Sequence, residues 1–343
     1  MGYSYKGVSM NVSFCVIAYN EESTIKSLFE DIRNQDYPHE KMEIVLVDSM
    51  STDSTRKLME EFAKESNGFI RVSVVDNPKK NQASGWNVAI REAKCEVIMR
   101  IDAHTMIPKE FVSKNVECLK TGENVSGGSR PNIADEDTPW KHTLLLAEDS
   151  LFGSSIAPYR KSHHKTYVKS VFHGAYKREV FEKSGIFNED LGRTEDNEIH
   201  YRIRQAGYKI CYDPKIISYQ YTRNTWRRMI KQKYGNGYWI GLTIGICPQC
   251  FSLYHFIPLC FVLALIISLI TFCFGMSAVI GVVGGIYLLT DLLMSIIACI
   301  GQKKYWQYLL LPAIFLSLHV AYGVGTLIGI IKMPLWKRNI SKR

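Results

Sequence analysis

Apolar and polar positions alternate along the first hundred residues with two different periods. Val12 to Ala18 is a nearly continuous apolar run, and it stops at Tyr19-Asn20-Glu21-Glu22. Ser23 to Asn34 then changes period, with Ile25, Leu28, Phe29 and Ile32 spaced to share one helix face. Tyr37-Pro38 breaks it. Met42 to Val47 is the second strand-like run, and it halts at Asp48. A polar stretch of Ser, Thr and Asp follows and offers caps for a helix from about Thr55 to Lys64. Ile70 to Val75 is a third strand, Asn77-Pro78 a turn, and Ala83 to Ala93 a helix. Val97-Ile98-Met99-Arg100-Ile101 then runs into Asp102-Ala103-His104-Thr105. Four strand–helix alternations predict an α/β fold with a parallel sheet covered by helices.

In such sheets ligands sit beyond the carboxyl ends of the strands. Tyr19, Asn20, Asp48 and Asp102 all fall at carboxyl ends, so they are expected to line one crevice. Asp102 and His104 are two residues apart and share a side in extended backbone. A carboxylate and an imidazole converging there suit a divalent metal; a solvated strand end is the other reading. No Gly-x-Gly-x-x-Gly turn and no Gly-x-x-x-x-Gly-Lys loop follows a strand. That argues against a dinucleotide dehydrogenase and a P-loop NTPase. Acids facing phosphates require a cation between them.

Beyond this point the pattern loosens. Ser126 to Arg130 reads as a strand edge, Trp140 to Ser150 as a helix, and Phe152 to Lys169 as a polar, basic loop holding His163 and His164. Thr194 begins a helix with Ile199, Ile203 and Ala206 inward and Gly207 as its stop. Glu195 and Asp196 sit in its first turn, where the helix dipole favours their ionised forms. Tyr208 to Tyr221 reads as two short strands around Asp213-Pro214.

Charge separates the chain into unlike parts. The net charge is +9, yet from Pro214 onward thirteen Lys or Arg face a single acid, Asp291. A basic and apolar second part points to a membrane, not to nucleic acid. Arg223 to Lys233 reads as a basic amphipathic helix with Trp226, Met229 and Ile230 as its apolar stripe. Leu253 to Gly275, Ser277 to Ile300 and Tyr308 to Ile331 are each long enough to cross a hydrocarbon core of about 30 Å. Their flanks conflict. Lys303-Lys304 and the tail from Lys332 are both basic, and three full crossings cannot leave both on one side. Either the third segment is re-entrant, broken at Pro312 and Gly323-Val324-Gly325, or the positive-inside rule fails. Nine scattered cysteines fit reduced thiols, and Cys247-Pro248-Gln249-Cys250 lacks the second pair a structural zinc needs.

Val16-Ile17-Ala18-Tyr19-Asn20-Glu21, Val45 through Asp48 to Thr55, Asn77 to Asn87 and Ile101-Asp102-Ala103-His104 together resemble the family 2 glycosyltransferases of GT-A fold. The resemblance implies a nucleotide-sugar-binding mixed sheet followed by transmembrane helices. It implies that Ala18, Tyr19, Asn20, Glu21, Asp48, Asn77, Gly85, Asn87 and Asp102 contact the donor. Asp102 and His104 fall at the metal-binding D-x-D position, with His104 in place of the second Asp and Ser49 in place of the acid that usually follows Asp48. The imidazole favours Mn²⁺ over Mg²⁺. Thr194-Glu195-Asp196 matches the acceptor-side motif, which implies Asp196 as general base and Glu195 as its support. His173, Arg227 and Arg228 are candidates for acceptor or phosphate contacts.

Phe172-His173-Gly174-Ala175-Tyr176, the Tyr-Gly-x-Gly stretch at Tyr234 and His319 to Gly325 resemble most the membrane enzymes of bacterial succinoglycan and exopolysaccharide synthesis. The expected division is a transferase domain over 1–222 (donor half 10–105, acceptor half 106–222), an interface segment over 223–252 and a membrane region over 253–343 with spans 253–275, 277–300 and 308–331. The resemblance implies a multi-pass cell-membrane protein with a cytoplasmic catalytic domain. It would move one sugar, with inversion, from a nucleotide-sugar to a polyprenyl-linked glycan, beside other polysaccharide-assembly proteins. The alternatives are a transferase that loads sugar onto polyprenyl phosphate and an inactive nucleotide-sugar-binding scaffold. Gln232-Lys-Tyr-Gly stands where polymer-extruding synthases carry Gln-x-x-Arg-Trp, which favours single-sugar transfer.

Overall fold

A computed structural model describes residues 10–65, 68–153, 163–223 and 225–342. Half of the expected polar loop, 154–162, lies outside the described residues. The chain forms two compact units, Met1–Pro131 with Lys161–Gln220, and Asn132–Arg160 with Tyr221–Arg343.

The first unit opens with β1 (Val12–Ala18), α1 (Ile25–Arg33), β2 (Met42–Asp48), α2 (Thr55–Lys64), β3 (Arg71–Asp76), α3 (Gln82–Glu92) and β4 (Val97–Asp102). The alternation expected from the pattern is present element by element, because strand runs and helical faces here obey their own periods throughout. The chain continues through β5 (Thr105–Met106), α4 (Phe111–Lys120) and β6 (Val125–Ser129). In the second unit come β7 (Asn132–Ile133) and α5 (Pro139–Asp149). The first unit resumes with β8 (Thr166–Val168), β9 (Gly174–Lys177), α6 (Arg178–Ser184), α7 (Glu195–Gln205) and β10 (Ile210–Ile217), and β11 (Tyr219–Tyr221) falls at its boundary with the second.

Eight strands make one sheet in the order β3-β2-β1-β4-β9-β6-β10-β8. The β3-β2-β1-β4 half is parallel, with Ala18 beside Asp48 and Ile17 beside Asp102. Chain order therefore reverses at β1, and a crevice opens there by the switch-point rule. The antiparallel strand β9 joins this half to the parallel pair β6 and β10. The sequence pattern did not reveal β9, because Gly174-Ala175-Tyr176-Lys177 is too short to show a period. The strand break expected at Asp213-Pro214 falls instead at Ser218: β10 runs through Pro214 with only a register shift against β6. The strand tolerates Pro214 at that irregularity, where the ladder needs no donor. The core under the sheet includes Phe14, Val16, Leu28, Phe29, Leu46, Phe62, Met99 and Phe111, all buried.

The second unit is helical: α8 (Trp226–Thr243), α9 (Ile257–Cys273), α10 (Ser277–Cys299) and α11 (Leu311–Ile340). Three segments, Leu253–Cys273, Ser277–Cys299 and Trp306–Ile340, are long and apolar enough to cross a membrane. The breaks considered at Pro312 and Gly323–Gly325 do not occur. Pro312 falls in the first turn, where it costs no hydrogen bond, and α11 continues through both glycines. The expected basic helix over 223–233 is longer than its charge pattern and reaches Thr243. Cys247 and Cys250 are joined in a disulfide, contrary to the expectation of reduced thiols throughout; a two-residue spacing brings the pair within bonding reach regardless of the remaining seven.

Candidate active site

The loops after β1 and β2 are laced together by short polar side chains. Asn20 adopts a positive φ of 55°, which an Asn tolerates better than most residues. Its backbone N–H donates to Ser51 Oγ, and its side chain exchanges hydrogen bonds with Thr52. Glu21 N–H donates to Thr55 Oγ1, and Glu22 N–H to Asp53. Asp53 also accepts from Thr55 N–H, so it caps α2 and ties the two loops at once. Asp48 is buried and accepts the Ser51 N–H at 3.2 Å on each oxygen. Tyr19 is left half-exposed.

The next layer is buried. Asn77 donates to Ser49 Oγ and to the Asn81 carbonyl, and accepts from Ser84. Ser49, standing where an acid was the family expectation, thus anchors Asn77. Gly85 packs against Asn77 and Ile17, where a Cβ would lie 3.1 Å from each. Asn87 binds the Phe187 N–H and carbonyl and the Glu189 carboxylate, fastening α3 to the 187–189 segment.

At the end of β4, Asp102 meets His173 Nε2 at 3.5 Å, and His173 Nδ1 pairs with Ser218 Oγ at 2.8 Å. An ionised Asp102 can only accept, so His173 Nε2 carries the proton toward it and Nδ1 accepts from the Ser218 hydroxyl. Burial pushes the Asp102 carboxyl up. The hydrogen bond from His173 and the nearby His173, His104 and Arg100 outweigh it, holding the acid well below the ordinary carboxylate range. Burial also pushes the His173 imidazole down, against the pull of Asp102. His173 therefore sits behind Asp102 with almost no exposure, rather than reaching outward. His104, on the adjoining turn, binds Glu21 Oε1 through Nδ1 at 3.1 Å.

The other acids enter from α7. Arg100 lies two residues before Asp102 on the same strand and is buried. It donates from Nη2 to Asp196 Oδ1 at 2.7 Å, and its guanidinium lies 4.5 Å from the ring centres of both Trp86 and Phe187. A buried arginine is tolerable only with such partners. Glu195 lies beside this pair, 3% exposed, and its Oε2 meets no hydrogen-bonding group. Burial, with the adjacent Asp196 charge adding, pushes its carboxyl up to about 8. The expectation that the helix dipole keeps Glu195 ionised is overturned. The dipole's gain is ~0.3–1 kcal/mol, far less than desolvation costs here. His200, one helical turn on, is buried between Ser170 and the Tyr176 hydroxyl, and burial lowers it to about 4.

The sequence reading missed Arg100. The available signal was a lone charge inside the apolar run Val97 to Ile101, which cannot be buried unpaired. Arg227 and Arg228 lie exposed on α8, in the second unit.

Among the described residues no three His, Cys, Asp or Glu side chains converge as a closed metal site. The residues at the β4 end still fit an open one. Asp102 is an ionised oxygen donor, and a histidine whose Nδ1 bonds a carboxylate is the usual form of a metal-ligating imidazole.

Residues 13–185 match the family described as Glycosyl transferase family 2. A relative from Methanococcus voltae, "Dolichyl N-acetyl-alpha-D-glucosaminyl phosphate 3-beta-D-2,3-diacetamido-2,3-dideoxy-beta-D-glucuronosyltransferase", is 27% identical over 94% of this chain and 97% of its own. The succinoglycan biosynthesis protein ExoA of Rhizobium meliloti (strain 1021) is 28% identical over 64% of this chain and 65% of its own. In fold, the mannosyltransferase PcManGT from Pyrobaculum calidifontis, solved with GDP-Man and Mn²⁺, aligns over 93% of this chain and 89% of its own, with TM-score 0.62 and 20% identity. With half of its length matched by the family, over the strands and loops that build the crevice, the chain belongs to glycosyltransferase family 2 and is a glycosyltransferase.

Proposed function

We propose that this glycosyltransferase moves one sugar from a nucleotide-sugar, with inversion, to a hydroxyl of a lipid-linked glycan at a membrane. The observation that carries this reading is the geometry of β4. One strand bears Asp102 at its carboxyl end and, two residues back, the Arg100 that holds Asp196. Asp102 at the end of β4 and Asp196 on α7 are thereby tied to the same strand.

Asp48, the 19–21 segment and the Asn77–Gly85 layer shape the nucleoside side of the crevice. Asp102 and His104 would hold a divalent cation, Mn²⁺ in preference to Mg²⁺, which supplies charge stabilisation for the departing diphosphate. Glu21 and His173 fix the orientation of those two side chains. Asp196 takes the proton of the acceptor hydroxyl through Oδ2, while Arg100 keeps Oδ1. The acceptor oxygen forms its bond to the anomeric carbon from the face opposite the nucleoside diphosphate, and the bond to the diphosphate oxygen breaks. Glu195 keeps its proton at neutral pH, so the adjacent acids do not repel each other. General-base catalysis of this kind contributes typically ~10²–10⁴-fold.

The lipid-linked acceptor is supported by the name of the Methanococcus relative, matched over nearly its full length, and by three helices able to cross a membrane. The test is nucleotide release by the purified protein in detergent from a panel of UDP- and GDP-sugars, with Mn²⁺, Mg²⁺ or EDTA and with membrane lipid extract. The reading expects one donor to turn over, with dependence on metal and acceptor. Binding of a donor without any turnover would favour a nucleotide-sugar-binding scaffold instead.

A further inference from the structure

The three apolar helices of the second unit are not alike. In α9 and in α10 only 11% of the apolar window is buried, whereas in the α11 segment 39% is. What covers α11 is α8. Trp226 Nε1 donates to Ser317 Oγ at 2.7 Å. Further along, Gly237 and Gly241 of α8 lie on the carbonyls of Tyr322 and Thr326, and Gly325 and Gly329 of α11 lie on those of Tyr234 and Tyr238. A Cβ at any of the four would come within 2.1 to 2.4 Å of these oxygens. Gly245, just past α8, packs on Met333. The two helices therefore run parallel and nearly backbone to backbone from Ser317 to Met333.

The contacts of α11 with α9 and α10 are as close but confined to a shorter length. Gly323, in the middle of α11, rests on the Pro258 carbonyl and on Val262, in the first two turns of α9. Tyr287 of α10, stacked on Phe261, donates to His319 Nδ1 at 2.9 Å, while His319 Nε2–H reaches the Phe152 carbonyl. α11 thus crosses the base of the α9–α10 hairpin; its lengthwise partner is α8.

Charge decides where such a pair can lie. On α8, Arg227, Arg228 and Lys231 are exposed beside the start of α11, and Lys332, Lys337 and Arg338 are exposed at its other end. Lys303 and Lys304 precede it, exposed as well, while the hairpin tip Phe274-Gly275-Met276 has no charge. Cations are costly at the bilayer centre and strongly favoured at an anionic leaflet.

We propose that α9 and α10 alone cross the membrane, and that α8 and α11 lie as a locked pair along one leaflet at the foot of that hairpin, their exposed cations on anionic headgroups. This arrangement puts Lys303, Lys304 and the basic tail on one face, as the positive-inside rule requires, with the uncharged tip on the other. The conflict met in the sequence disappears because the third apolar segment is not a span.

The test uses the full chain expressed in a bacterial inner membrane. One version carries an epitope tag after Arg343, another carries it at Gly275. Each is exposed to an impermeant protease in right-side-out spheroplasts and in inverted vesicles. The terminal tag should be cut only in inverted vesicles, and the Gly275 tag only in spheroplasts. Cutting of the terminal tag in spheroplasts makes α11 a third span and overturns the proposal. Cutting of the Gly275 tag in inverted vesicles removes the hairpin crossing and overturns it too. For the headgroups, phosphatidylglycerol retained through mild detergent is measured by mass spectrometry in the unaltered chain and in the triple variant Arg227→Gln, Arg228→Gln, Lys231→Gln. The variant should retain about tenfold less; equal retention would overturn the assignment of these cations to lipid.

Discussion

Asp102 is a partly buried and Glu195 a fully buried carboxyl of the first unit, and they have opposite fates. Burial pushes each upward. At Asp102 the His173 hydrogen bond and three cationic or imidazole neighbours reverse that push and keep the acid ionised. At Glu195 the strongest charged neighbour is another acid, Asp196, and one oxygen meets no donor, so the carboxyl rises to about 8. Burial sets the size of the problem in both places, and the partner sets its sign. Arg100 makes the contrast sharp. Its charge acts on all three acids, and its hydrogen bond goes to Asp196.

Four perturbations test that contrast, taken from the largest expected effect. Asp196→Asn removes the proposed base and should lower turnover by ~10²–10⁴-fold while a donor still binds, read by steady-state kinetics and by titration of nucleotide binding. Arg100→Leu strips Asp196 of its partner inside the protein. Breaking one side of a buried ion pair costs ~3–5 kcal/mol, so thermal unfolding should shift well downward; an unchanged midpoint would mean the pair contributes nothing.

Glu195→Gln should do the reverse. The folded carboxyl titrates at about 8 and the unfolded one near 4.5. Below pH 4.5 both states hold the proton and there is no penalty. As pH rises from 4.5 through 8, the unfolded state releases its proton first, and stability falls. The amide variant lacks this loss, so it should gain on the unaltered chain by a few kcal/mol by pH 8 and match it at pH 4. Asp102 has the opposite sign. Its folded value is depressed, so its contribution is present above the ordinary carboxylate range and is lost only in acid. Last, His173→Gln removes the imidazole behind Asp102 while keeping a donor of similar reach. Such outer-shell changes typically cost ~10–100-fold in metal affinity, measured by titrating Mn²⁺ into the nucleotide-bound protein. Affinity unchanged from the unaltered chain would show that Ser218 and His173 do not orient Asp102.

Much of the first unit was legible as pattern. β1 to β4 and their helices came out where period and caps put them, since each element satisfies its own local rule there. Asp48 and Asp102 were legible as strand ends. The α7 start at Thr194 was legible from its acids, and its end from Gly207. β9 was not, because four residues cannot display a period and its place between β4 and β6 is settled by pairing far along the chain. The protonation of Glu195 was not, because desolvation depends on what lies around the helix end, not on the helix itself. The α8 stripe was read from Trp226, Met229 and Ile230, and the tight face beyond it was hidden because Gly237 and Gly241 bear no apolar side chain to mark it.

By itself, then, the sequence determined what depends on neighbours a few residues away: the alternating elements, the acids at their ends, the three apolar segments and the basic bias of the second part. Only the tertiary structure decided which charges are paired. Arg100 finds Asp196 ninety-six positions on, Asp102 finds His173 seventy-one on, and α11 finds α8 across the α9–α10 hairpin. Electrostatics and close packing act through space at a few ångströms, and no local pattern records which distant side chain will stand there.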